Sequence, residues 1–138
     1  FGPLQAAGHA YAAVIPAFVD AALRGEPLPI QGDGTQSRDF TFVDTVAAVI
    51  TDAIVRGVTS AEPVNLAFGS RTNLLEVIAL IEHTIGTPVE RDFREPRVGD
   101  VPHSQAANDR LLNLFPDIEP VALDEGLLRT IDWFRTLG

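Results

Sequence analysis

At 138 residues, 46% of them hydrophobic, the chain can bury one core of its own, which excludes a disordered tail. A formal charge of −9 argues against nucleic acid or an anionic membrane as partner, because both are bound through basic surfaces. The lack of cysteine excludes disulfides, thiolate metal sites and a cysteine nucleophile.

Apolar residues at Tyr11, Val14, Ile15, Phe18, Val19, Ala22 and Leu23 have helical spacing. Proline is tolerated only in a first turn, so Pro16 places the helix start at Ala13 to Ile15, and Gly25 ends it. Leu28 to Gln31 is short and extended, and Gly32-Asp33-Gly34 forms a tight turn, read as a hairpin turn. Arg38 to Val43 alternates as a strand, with Phe40 and Phe42 on one face. Asp44 is expected to cap a second helix that buries Val46, Ala47, Val49, Ile50 and Ile54 and closes near Gly57.

Pro63 to Phe68 reads as a strand. Thr72 or Asn73 caps a third helix that turns Leu74, Leu75, Ile78, Ile81 and Ile85 inward and stops at Gly86 and Pro88. A short strand over Pro88 to Phe93, a polar loop from Arg94 to Gln105 and a short helix from Asp109 to Phe115 follow. Asp124 begins the last amphipathic helix, with Leu127, Leu128, Ile131, Phe134 and Leu137 apolar. Helices and short strands intermixed mean a mixed α/β fold, expected as a single domain over 1–138.

No apolar run reaches the roughly 18 residues of a membrane span, and no secretory signal pattern is present, so a cytoplasmic protein is expected. The chain contains no methionine and opens on Phe1, the mark of a processed chain or a piece of a longer one.

Gly32-Asp33-Gly34-Thr35-Gln36-Ser37 does not make a dinucleotide loop, because Ser37 stands at the third glycine position and a strand pattern follows. It lacks the alternating oxygen ligands of a calcium loop as well. His9, His83 and His103 show no metal-ligand spacing, and His103-Ser104 are mere neighbours in sequence, so neither a metal site nor a hydrolytic triad is expected.

The arginines carry more information. Arg38 follows the glycine turn, and Arg97 stands in the later loop just before Gly99 and Asp100. A guanidinium fork suits phosphate, and two forks from separate loops would clamp a diphosphate; each taken singly is more often a surface ion-pair partner.

Phe1-Gly2-Pro3, Tyr11 to Pro16, Gly32 to Phe40, Val43-Asp44, Asn65 to Gly69 and Arg97 to Gln105 together resemble the second half of the extended short-chain dehydrogenases acting on nucleotide sugars. The likeness covers essentially the whole chain and is strongest to bacterial UDP-sugar 4-epimerases of the NAD-dependent epimerase/dehydratase family. It implies the substrate-binding domain of that fold, lacking most of the cofactor-binding Rossmann domain.

By resemblance, Arg38 and Arg97 would bind the diphosphate and Asp100 the ribose hydroxyls. Ala13 and Val14 would lie against the uracil, Ile30 and Gln31 would line the other side of the nucleotide, and Gln5 would approach the sugar. Three departures stand out: Pro29 where an aromatic is common, Ala107 where an Asp is common, and Pro3-Leu4 in place of a more basic pair.

The family's glycine-rich loop and its Tyr-x-x-x-Lys pair are absent; Tyr11 is the single tyrosine, and there is no lysine. The resemblance thus implies no catalytic, cofactor or metal residue here. The chemistry it implies for the full-length enzyme is hydride removal from the sugar's C4 by NAD, rotation of the 4-keto sugar, and hydride return.

The implied partners are a UDP-sugar and the parent's own Rossmann domain, in a parent expected to be a homodimer. A nucleotide-sugar decarboxylase, a 4,6-dehydratase or a non-catalytic binding relative are the alternatives. If the second helix and the segment from Val64 to Phe68 belong against the cofactor domain, an apolar patch should be exposed on them.

Overall fold

The computed structural model describes residues 1–7 and 13–138, so the expectations for His9 and Tyr11 lie outside the described residues. The expected fold class is the one found: helices with short strands, mixed α/β.

Helix α1 (Val14–Arg24) starts one residue after Ala13, whose extended backbone makes it the N-cap, and Pro16 falls in the first turn as expected. Strand β1 (Leu28–Gln31) follows. It pairs in parallel with β4 (Arg91–Arg94), Leu28 opposite Arg91 and Gln31 opposite Arg94. Strand β2 (Ser37–Arg38) pairs antiparallel with β3 (Thr72–Asn73).

Helix α3 (Leu74–Ile85) begins at a capping box, in which the Asn73 side chain accepts from Glu76 N at 2.8 Å and Asn73 N donates to Glu76 Oε2 at 2.7 Å. Of the two caps the sequence allowed, Asn73 is the one used.

The main core forms where α1, α3 and α5 (Leu123–Arg135) meet over β1. Phe18, Val19, Leu28, Ile30, Val77, Ile78, Ile81, Leu127 and Ile131 are essentially inaccessible there. Each such Leu, Ile or Phe contributes roughly 1.5–3 kcal/mol over an exposed one. A smaller cluster of Val49, Leu111 and Phe115 joins α2 (Val43–Arg56) to α4 (Asp109–Leu114), with Val64, Leu66 and Phe68 packed against it.

Several expectations are corrected. Gly32 to Gly34 is a turn but not a hairpin, since the strands it joins pair with other partners. The strand expected from Arg38 to Val43 is confined to Ser37–Arg38; residues 39–42 belong to no element, and α2 follows with Phe42 as the N-cap and Asp44 inside the first turn. In that turn the Asp44 carboxylate faces the positive end of the helix and pairs with Arg129 at 2.9 Å.

The buried face of α2 is also rotated from the one expected. Thr45 and Val49 are buried, whereas Ala47, Ile50 and Ile54 face outward with Val43 and Val55. An apolar stripe does run along the helix, but the second cluster covers its other side. Of the apolar patch expected on α2 and the segment 64–68, the part on α2 is exposed, whereas Val64, Leu66 and Phe68 are packed against the second cluster. The segment 63–68 forms no strand; it is held instead by Asp39, whose carboxylate accepts from Phe68 N at 2.8 Å, Gly69 N at 2.9 Å and the Ser70 hydroxyl.

In α5, Asp124 is the second residue, and Leu128 faces outward while Leu127, Ile131 and Phe134 are buried. In α3, Leu75 is partly exposed where Leu74, Ile78 and Ile81 are buried. No helix described here is long and apolar enough to cross a membrane.

Candidate functional site

The parallel pairing of β1 with β4 decides what faces outward at their carboxyl ends. Side chains of a strand alternate between faces, and β1 shows this strictly: Leu28 and Ile30 enter the core while Pro29 and Gln31 point away. Pro29 and Gln31 form one wall of a cleft of about 430 Å³. Val14, Ala17 and Phe18 from α1 and Leu74 from α3 supply its apolar side. Arg38, Arg94, Arg97 and Asp100 supply the polar side. A second cavity of about 790 Å³ shares Gln31, Gln36, Arg94, Arg97 and Asp100 with the first and continues it past the turn 32–36.

Arg38 reaches the cleft from β2. Its Nη1 donates to Ser37 O at 2.8 Å and Pro102 O at 3.4 Å, and its Nη2 to Asp100 Oδ1 at 2.6 Å. A guanidinium carries five N–H donors, so Nε and one hydrogen of Nη2 have no partner among the described residues. Arg97 forms none of the ion pairs found among the described residues. Its carbonyl closes the turn with Asp100, N to O 3.1 Å.

The opposite rim is set by Asp33, whose Oδ1 accepts from Thr35 N at 2.9 Å and Thr35 Oγ1 at 2.6 Å. The Thr35 hydroxyl, and then its amide, hold the Asp33 carboxyl below the usual carboxylate range. Gln36 Nε2 donates to Gln31 O at 2.6 Å, tying the turn to β1.

The structure thus brings Arg38, Arg97, Asp100, Val14 and Gln31 to one cleft. It does not bring the other three named residues there. Ile30 is a core residue with no exposure, the opposite parity from Gln31 on the same strand. Ala13 is the exposed N-cap preceding the first lining residue of α1. Gln5 lies off the wall, its Oε1 buried without a partner among the described residues.

Sequence reading missed Arg94, Gln36 and Pro29 as wall residues. Pro29 was within reach by parity with Gln31. Arg94 needed the register, since Gln31 stands opposite it in the ladder, and its guanidinium is braced by Asp92 at 2.8 Å. Among the described residues no group of three or more His, Asp or Glu side chains is arranged to hold a metal ion.

A sequence profile described as the NAD dependent epimerase/dehydratase family matches residues 1–67. A UDP-glucose 4-epimerase of Mycolicibacterium smegmatis is 36% identical over 138 residues, covering 98% of this chain. The chain is similar to the NAD dependent epimerase/dehydratase family.

Solved structures agree with the family. The UDP-glucose 4-epimerase of Thermotoga maritima with UDP-glucose superposes at a TM-score of 0.89 and 30% identity, covering 99% of this chain. A UDP-glucuronic acid 4-epimerase of Bacillus cereus, in complex with UDP-glucuronic acid and NAD, superposes at 0.87 and 25% identity over the whole chain. The chain spans 42% of the M. smegmatis relative and 43% of each of the two solved chains. Relatives in this epimerase/dehydratase family thus use the architecture seen here as a minor part of their length.

Proposed function

We propose that this chain is the nucleotide-sugar-binding domain of a UDP-sugar 4-epimerase, and that its cleft holds the UDP moiety. One observation carries the reading: side chains 59 positions apart, Arg38 and Arg97, line the same cleft beside Asp100. The free N–H groups of Arg38 and the guanidinium of Arg97 would bind the diphosphate. Asp100 would accept from the ribose hydroxyls while keeping its bond to Arg38. Val14 and Pro29 offer apolar surface for the base, with Gln31 beside them to hydrogen-bond it.

NAD, in the whole protein, would supply reversible hydride transfer at the sugar. This chain's part is to bind and orient: it anchors the nucleotide, and that remote binding energy fixes the sugar against the reacting centre. No residue of the cleft is assigned a proton-transfer or cofactor role. The tyrosine and lysine of the family's catalytic pair have no counterpart among the residues placed in the cleft.

The test is titration of the chain with UDP by calorimetry, with uridine as control. Two arginines at roughly 1.5–3 kcal/mol each, about 3–6 kcal/mol together, correspond to a Kd between about 0.05 and 5 mM for UDP. Uridine, lacking the diphosphate, should bind at least about tenfold more weakly. Equal affinity for the two would remove the clamp.

A further inference from the structure

The turn carrying Arg97 and Asp100 is not held to Arg38 by the ion pair alone. Three residues beyond Asp100, the chain runs alongside β2, and Ser37 forms a parallel bridge with His103. Ser37 N donates to Pro102 O at 2.9 Å, and Ser104 N donates to Ser37 O at 3.1 Å. Ser37 is 5% exposed, and its hydroxyl lies 2.9 Å from His103 Nδ1. On its other side Ser37 pairs with Asn73 of β3, so it stands between two neighbouring strands.

Arg71 brings a second contact to the same hydroxyl. Its Nε approaches the same oxygen at 3.5 Å and can only donate. The Ser37 hydroxyl can therefore still bond His103 Nδ1, donating its hydrogen to the Nε2-protonated ring or accepting from the Nδ1-protonated one. Arg38, the next residue on β2, points to the opposite face, into the cleft.

We propose that His103 is a positioning residue of the diphosphate site, resting on the reading of that site given above. Through the hydrogen bond between its Nδ1 and the Ser37 hydroxyl it holds the Arg97–Asp100 turn in register beside Arg38. It touches no ligand itself. Without it, two backbone bonds, the 3.4 Å bond from Arg38 Nη1 to Pro102 O and a part-exposed ion pair remain, and the turn samples positions in which the two guanidinium groups no longer meet one diphosphate.

The experiment compares the unaltered chain with His103→Ala, His103→Asn and Ser37→Ala. His103 is exposed, so its replacement leaves the core intact. In asparagine the side-chain amide takes the place of Nδ1 and can accept from or donate to Ser37. Loss of one hydrogen bond predicts UDP affinity about five- to tenfold weaker in His103→Ala and Ser37→Ala. The two together should be no weaker than either alone, and His103→Asn should return to within about twofold of the unaltered chain.

Amide hydrogen exchange supplies a readout that needs no ligand. Ser37 and Ser104 should exchange about tenfold faster in His103→Ala and at the original rate in His103→Asn. Unchanged exchange at both amides in His103→Ala, or an asparagine variant as loose as the alanine one, overturns the proposal. If the unaltered chain ignores UDP, the proposed function falls while the exchange data still judge the clasp.

Discussion

Arg97→Ala should separate ligand binding from folding, and Arg38→Ala should not. The Arg97 side chain forms no ion pair among the described residues, and the carbonyl that accepts from Asp100 N survives the substitution. Its removal should change stability by no more than about 0.5 kcal/mol, or about 2 °C in melting temperature. The cost in UDP binding is that of a charge-assisted hydrogen bond, about 1.5–3 kcal/mol, or ten- to a hundredfold in Kd.

Arg38 has a second duty. Alanine there removes donors to Ser37 O, Pro102 O and Asp100 together. The Arg38 and Asp100 side chains are 27% and 38% exposed, so solvent screening limits the ion pair to about 0.5–1 kcal/mol. The carbonyl bonds add about 1 kcal/mol or less each, for a loss of roughly 1–3 kcal/mol that should appear as a lower melting temperature. Calorimetry with UDP and differential scanning fluorimetry on both variants decide the matter. A melting temperature lowered as much in Arg97→Ala as in Arg38→Ala would refute the reasoning, as would UDP affinity untouched in both.

Two further outcomes follow from local geometry. Gly34 has φ 81° and a Cβ placed on it would stand 2.7 Å from Leu75 Cδ2, so Gly34→Ala should lose about 1–3 kcal/mol in urea unfolding. Leu75→Ala in the same background should recover only the steric part, since the positive φ remains. The Asp33 carboxyl titrates below its ordinary value because Thr35 donates to the charged form. That contribution is present at neutral pH and is lost as pH falls through the lowered value. Thr35→Val should therefore move the Asp33 midpoint upward, read by carboxyl-carbon NMR. A midpoint that stays put would assign the shift to the backbone instead.

The apolar spacing of the sequence was sufficient for α1, α3 and α5, because each of these helices buries a stripe that repeats every three to four residues. The same rule misread α2. Its apolar residues outnumber those one face can bury, and nothing local says that Val49, not Ile50 or Ile54, meets Leu111 and Phe115 more than sixty positions later. Leu28 to Gln31 read only as short and extended, and the resemblance placed both Ile30 and Gln31 beside the nucleotide, whereas the alternation of the strand leaves Pro29 and Gln31 in the cleft and Ile30 in the core.

Residue chemistry singled out Arg38 and Arg97, since a guanidinium beside a glycine turn is already suited to phosphate, and the family resemblance added Asp100. Their meeting is a property of the tertiary structure. It takes a parallel ladder between segments some sixty residues apart to set Arg94 and the turn after it beside Gln31, and a bridge from Ser37 to His103 to align that turn with Arg38. Local sequence determines which side chains can bind an anion; only long-range backbone pairing decides which of them stand together.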